Sequence, residues 1–228
     1  MDAMWQQLGP AVVPAFWITI KLTVFSAVGA LILGTILTAM RVSPLGVLRF
    51  IAGAYINTVR NTPLTLIVLF CSFGLYQTLG IQLANKNSPT FLADNNFRLA
   101  VLGFTLYTAA FVAECLRSGI NTVGLGQAEA ARSLGLSFGQ TFRSIILPQA
   151  MRAAIVPLGN TFIALTKNTT IASVIGVAEA SLLMKSVIEN HAHQLWIIFG
   201  VFALGFIILT LLTSAATHYL SHKLAVKK

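Results

Sequence analysis

The residues able to do chemistry are few, and their apolar surroundings decide what that chemistry can be. Lys167 heads the polar segment Lys167-Asn168-Thr169-Thr170 inside a long hydrophobic run. An ionisable group at membrane depth costs about 3 kcal/mol or more when unpaired, so it marks a candidate site for a carboxylate. Polar breaks in spanning helices line the binding sites of several transporters. The alternatives for Lys167 are snorkelling outward or pairing with Glu114 inside a helix bundle. Arg60, two residues before Thr62, and Glu114 both lie toward the ends of their runs expected to face the cytoplasm. They suit a gate-side ion pair or an interface anchor, with Glu114 also able to reach Arg117 at i,i+3.

Other chemistries fail on context. Gly135-Leu136-Ser137-Phe138-Gly139 fits the G-x-S-x-G pattern, but a nucleophile elbow needs a strand before the serine, and a helical patch precedes it here. His191 and His193 alternate like metal ligands, yet no further ligand is spaced to complete a site, so no metal is expected. Cys71 and Cys115 sit within apolar runs without redox or metal spacing and read as small hydrophobes. No Gly-Lys pair occurs, so the phosphate-cradling loop of an ATPase is absent. No enzyme activity and no bound cofactor are therefore expected of this chain.

The elements that must position these residues are membrane helices. The chain has 228 residues, 56% hydrophobic and 9% charged, with a mean hydropathy of +0.81. Soluble domains carry about 25% charged residues. Five apolar runs, about 14–40, 62–82, 97–120, 153–173 and 194–217, are each long enough to cross a bilayer. All five are expected to be helical, because an open sheet edge cannot sit in lipid. Pro10 and Pro14 suggest that the first run begins along the membrane surface. The expected fold is an all-α integral membrane domain over residues 1–228 with about five spans.

The net charge of +9 does not indicate a nucleic-acid binder, because the cations fall in short gaps between runs. Arg41, Arg49, Arg60, Arg117, Arg132, Arg143, Arg152, Lys223, Lys227 and Lys228 fall on one side. Lys86, Arg98, Lys185, Asp2, Asp94, Glu179 and Glu189 fall on the other. The positive-inside rule then puts the N-terminus out and the C-terminus in. Lys21 is about 30 Å along a helix from Arg41, which sets it at the outer interface.

The longest cytoplasmic connection, from Arg117 to Arg152, is not a plain loop, and its segment at about 121–150 is the candidate docking element. Gly124 and Gly126 precede the helical patch Gln127-Ala128-Glu129-Ala130-Ala131-Arg132-Ser133-Leu134, and Gly135 stops it. Ser137 and Gln140 form a capping box for a second helix carrying Phe138, Phe142, Ile145 and Ile146, ending at Leu147-Pro148. The small Ala130 and Ala131 would let another surface approach closely, as a docking element requires.

Glu129-Ala130-Ala131, Gly135, Ile145 and Leu147-Pro148, at these spacings, resemble the EAA motif of inner-membrane permeases of ATP-binding-cassette importers. Arg60-Asn61-Thr62-Pro63-Leu64, Ala113-Glu114 with Arg117-Ser118-Gly119-Ile120, Gly126-Gln127 and Lys167-Asn168-Thr169-Thr170-Ile171 are similar to the polar amino-acid subfamily. Asn61 and Thr170 stand where that family often has Gly and Ser. The resemblance implies a type I importer permease fold in the cell membrane. It further implies a second permease, identical or homologous, two ATPase subunits that hold ATP and magnesium, and an extracytoplasmic binding protein that delivers the amino acid. Gly126, Gln127, Glu129, Ala130, Ala131, Arg132, Gly135 and Pro148 would form the coupling helix and its base. Lys167, Asn168, Thr169, Thr170, Arg60, Thr62 and Glu114 would line the substrate pathway. The expected cargo is glutamate or glutamine. The alternatives are a secondary amino-acid transporter, or a scaffold permease whose partner carries the substrate site.

Overall fold

The computed structural model describes residues 2–224; Lys227 and Lys228, assigned above to the basic tail, lie outside the described residues. Every regular element among the described residues is helical. The order is α1 (Asp2–Val42), α2 (Gly46–Arg60), α3 (Leu64–Leu69, continued by a π-helix over Phe70–Thr78), α4 (Phe91–Ile120) and α5 (Leu125–Ser133). Then come α6 (Phe138–Thr141, continued by a π turn over Phe142–Ile146), α7 (Leu147–Asn168, ending in a 3-10 segment over Thr169–Ile175), α8 (Ala180–Asn190) and α9 (Leu195–Leu224).

Three helices, Met4–Val42, Phe91–Ile120 and Ala192–Ser221, are each long and apolar enough to cross a membrane. Two bent pairs bring the number to five if each pair is one span. One is Gly46–Arg60 with Leu64–Thr78, bent by 106°, and the other is Phe138–Ile175 with Ala180–Asn190, bent by 57°. The first bend falls at Asn61-Thr62-Pro63, where a proline that cannot continue the ladder follows a residue it pushes out of the helical region. The expected surface segment at the N-terminus is not separate. α1 runs unbroken through Pro10 and Pro14, about 60 Å at 1.5 Å per residue.

α4 is the central element, packed by α1, α2, α3 and α7. The core is stacked along the bundle in three layers. Leu37, Ile56, Ala113 and Leu116 fill the layer toward α5; Leu22, Val68, Phe104 and Leu165 fill the next; Met4, Leu8, Ile198 and Phe202 fill the far end. Lipid tails are as apolar as these side chains, so close packing rather than escape from water holds such helices together. Small residues permit it. A Cβ on Gly34 would stand 2.6 Å from Val112 Cγ1, and one on Gly119 would stand 2.3 Å from the Ala150 carbonyl oxygen. Several hydroxyls inside the bundle satisfy themselves on the backbone one turn back, as Thr19 does on Ala15 and Thr35 on Leu31. Thr38 also reaches across to the Ala113 carbonyl at 3.3 Å.

Candidate coupling element and intramembrane cavity

α5 is short, and its end is built by a glycine. Gly135 has φ +84°, a conformation that costs other L-residues, and its N–H donates to the Arg132 carbonyl while Leu136 N–H donates to that of Ala131. This is a complete Schellman stop. Ser137 then opens the next helix with both halves of the predicted capping box: Gln140 N–H to Ser137 Oγ, and Ser137 N–H to Gln140 Oε1 at 2.8 Å. The G-x-S-x-G serine is thus a helix cap between two helices.

The second helix does not end at Leu147-Pro148. It passes through the π turn Phe142–Ile146, in which Leu147 N–H reaches back to the Phe142 carbonyl, and continues as α7. Pro148 supplies no N–H and would crowd the carbonyl four residues earlier. The extra residue of the π turn relaxes that conflict. From Phe138 to Ile175 the chain is one helical run. Gln149, on its second segment, donates through Nε2 to Gln127 Oε1 of α5 and to the Ile145 carbonyl.

Gly126, Gln127, Glu129, Ala130, Arg132 and Gly135 are exposed, as is Pro148 where α7 starts. Ala131 is buried. Its smallness therefore serves packing within the subunit, and Ala130 is the alanine left open to a neighbour. A cavity of about 540 Å³ lies beside α5, between Arg49 and Arg132.

The residues expected to line a pathway divide. Glu114 accepts from Arg117 Nη2 at 2.8 Å and Nε at 3.2 Å, and Arg60 Nη1 stands 3.9 Å away. Arg60 also lies over the Phe111 ring, 5.7 Å from its centroid. Above this cluster, a cavity of about 300 Å³, open on one side, lies between α4 and α7, lined by Tyr107, Thr108, Phe111, Asn160, Thr161 and Asn168, among others. Lys167 is not among its lining residues; its side chain is exposed on the subunit surface and makes no ion pair among the described residues, so it does not meet Glu114. Thr169 is buried with its hydroxyl on the Thr166 carbonyl, and Thr170 bonds the Lys167 carbonyl. Thr62 bonds the Thr58 carbonyl at the α2–α3 bend. The sequence reading missed Asn160, Thr161 and Tyr107. The spacing Asn160, Ala164, Asn168 was the available signal, since residues four apart share a helix face.

Residues 30–226 match the family described as binding-protein-dependent transport system inner membrane component. The chain is 72% identical to the glutamate transport system permease proteins GluC of Corynebacterium efficiens and Corynebacterium glutamicum, over 228 residues and the full length of each. It is 34% identical to the probable glutamine ABC transporter permease protein GlnM of Bacillus subtilis, covering 92% of this chain and 91% of that one. An amino acid ABC transporter crystallised with histidines superposes with a TM-score of 0.76 at 29% identity, with 94% of each chain covered. An inward-facing methionine ABC transporter shares the fold with a TM-score of 0.75 at 16% identity. With its apolar multi-helix bundle, its glycine-stopped α5 and a match running over most of its length, this chain belongs to the inner-membrane permease family of binding-protein-dependent ABC importers.

Proposed function

We propose that this chain is the permease subunit of an ATP-driven glutamate importer in the cell membrane. On this reading α5 is the coupling helix and faces the cytoplasm, where an ATPase subunit with its ATP and magnesium receives it. The chain itself catalyses nothing. A second permease completes the pathway, and an extracytoplasmic binding protein delivers the amino acid. The observation that carries the reading is the single helical run from Phe138 to Ile175. It begins at the stop of α5 and contributes Asn160, Thr161 and Asn168 to the cavity between α4 and α7. A push on α5 has a stiff route to that cavity, reinforced by the Gln127–Gln149 hydrogen bond. The glutamate assignment rests on the two relatives at 72% identity.

In this mechanism, closure of the ATPases draws the two coupling helices together and tilts α6–α7 against α4. The Arg60–Glu114–Arg117 cluster lies between the cavity and the α5 end, where such a tilt opens or shuts the exit. The amide and hydroxyl groups of Asn160, Asn168 and Thr161 offer hydrogen bonds without fixed charge, which suits a cargo that must leave as readily as it enters.

Reconstitution with the candidate ATPase, second permease and binding protein tests this. Labelled glutamate uptake into proteoliposomes should require both ATP and the binding protein. Uptake that persists without ATP and follows an imposed ion gradient would overturn the reading in favour of a secondary carrier.

A further inference from the structure

At the end of the bundle opposite α5, a cavity of about 560 Å³ opens between α1, the first turns of α4 and the turn at Gly176-Val177. It belongs to neither the coupling element nor the α4–α7 cavity. Three charges line it: Lys21 on α1, and Asp94 and Arg98 on α4. No ion pair joins Asp94 to either cation among the described residues. Lys21 Nζ instead lies 5.8 Å from the Phe97 ring centroid, and Arg98 gives one N–H to the Leu83 carbonyl. Asp94 accepts the Thr90 hydroxyl at 2.7 Å. The charges thus surround a common space without neutralising one another.

The rest of the lining is apolar. Below the cavity an exposed stripe continues along α1 through Phe25, Val28, Ile32 and Ile36. A cationic rim above an apolar track fits a molecule with an anionic head and a hydrocarbon tail. Lys21 and Arg41 are about 30 Å apart along α1, the thickness of the hydrocarbon core, so the rim stands at the headgroup level of one leaflet.

We propose that this cavity binds an anionic glycerophospholipid of the phosphatidylglycerol type, its phosphodiester between Lys21 and Arg98 and its headgroup hydroxyls on Asp94. The two cations and one carboxylate leave a single positive charge, matching one phosphodiester. Asp94 accepts a hydroxyl donor and repels a bare phosphate monoester, so phosphatidate is disfavoured. The bound lipid also braces the turn that follows the Thr169–Ile175 segment. Asn96, on the same first turns of α4, holds that turn through the Ile175 carbonyl at 2.8 Å.

Native mass spectrometry of the full chain, released from membranes containing phosphatidylglycerol, phosphatidylethanolamine and phosphatidate, tests this. The wild type should retain phosphatidylglycerol selectively. Lys21→Gln with Arg98→Gln should weaken that retention about thirtyfold, the equivalent of about 1 kcal/mol for each cation near an anionic lipid. Because the double variant could fold poorly, Asp94→Asn supplies a gain-of-binding arm, with phosphatidate now retained as well as phosphatidylglycerol. Equal retention of phosphatidylethanolamine by the wild type, or unchanged phosphatidylglycerol retention in a folded double variant, would overturn the proposal. So would displacement of the lipid by glycerol phosphate at equal concentration, which would mean a soluble phosphate site, or unchanged selectivity in Asp94→Asn.

Discussion

Arg117 holds Glu114 at 2.8 Å from one turn along α4, which leaves Arg60 the looser partner at 3.9 Å. The arrangement decides what a charge exchange would do. In Arg60→Glu with Glu114→Arg, the new arginine stands beside Arg117 and meets repulsion. The double swap should therefore not restore the uptake that either single change removes, whereas adding Arg117→Gln should. These side chains are partly exposed, and such pairs are worth about 0–1 kcal/mol, so thermal stability should barely change across the series. Uptake and melting temperature measured together check this. Rescue by the double swap alone would mean that Arg60, not Arg117, is the controlling partner.

Gly135 is required for its backbone angle rather than for space. Nothing lies within 4 Å of where its Cβ would stand, yet φ is +84°. Gly135→Val should strain the stop of α5 by about 1–2 kcal/mol and lower uptake at normal membrane abundance. Gly135→Asn should stay close to wild type, because asparagine tolerates this region. Gly135→Asp has a similar shape with an added charge, so its loss relative to Gly135→Asn reports the electrostatics of the docking proposed for this surface. Equal uptake by the asparagine and aspartate variants would remove charge from the account of this surface.

The α4–α7 crossing near the α5 end depends on Gly119. Its Cβ would meet the Ala150 carbonyl oxygen at 2.3 Å and the carbonyl carbon at 3.0 Å. Gly119→Ala should destabilise the chain by about 1–3 kcal/mol, the usual cost of overpacking. Ala150→Gly should not rescue it, because the clash is with backbone. Thermal unfolding in detergent of the two single variants and the double checks this; recovery in the double would show that the contact is made by side chains.

Glu179 caps α8 from a fully buried position, accepting from Ser181 N–H at 2.8 Å and Leu182 N–H at 2.9 Å. Lys185, six residues on, bonds Ser173 Oγ at 2.8 Å and ties α8 to the end of the α7 segment. Glu179→Ala should cost about 1–2 kcal/mol through the lost cap. Glu179→Gln keeps one accepting oxygen and should lose less. Hydrogen exchange of the first α8 amides separates the two; equal protection in both variants would contradict the capping role.

Much of the architecture was legible because its signals are local. Apolar runs reported spans, Gly135 reported the stop of α5, and Ser137 with Gln140 reported a cap that the structure forms with both bonds. What was not legible depended on helix phase and on partners distant in sequence. Leu147-Pro148 reads as a terminus, but the π turn before it lets the helix run on. Lys167 and Asn168 are neighbours in sequence, yet a helix turns about 100° between them, so one is exposed on the subunit surface and the other lines the cavity. The expected neighbourhood of Arg60 and Glu114 does form at the bend at Asn61-Thr62-Pro63, but their order of closeness was not legible: Arg117 at 2.8 Å, not Arg60 at 3.9 Å, is the nearer partner of Glu114.

That difference in phase separates the two candidate substrate contacts. Asn168 and Asn160 line the α4–α7 cavity, and Lys167 does not. If cargo passes through this cavity, Asn168→Leu and Asn160→Leu should each raise the KM for uptake about tenfold, the loss of roughly one hydrogen bond to a charged group at about 1.5 kcal/mol. Lys167→Gln should change KM less than either. Glutamate uptake by the assembled transporter, with the binding protein held saturating, measures all three. A dominant effect at Lys167 would instead place the carboxylate contact on the exposed face of α7, where a second permease could complete the site, and the α4–α7 cavity would then be packing space alone.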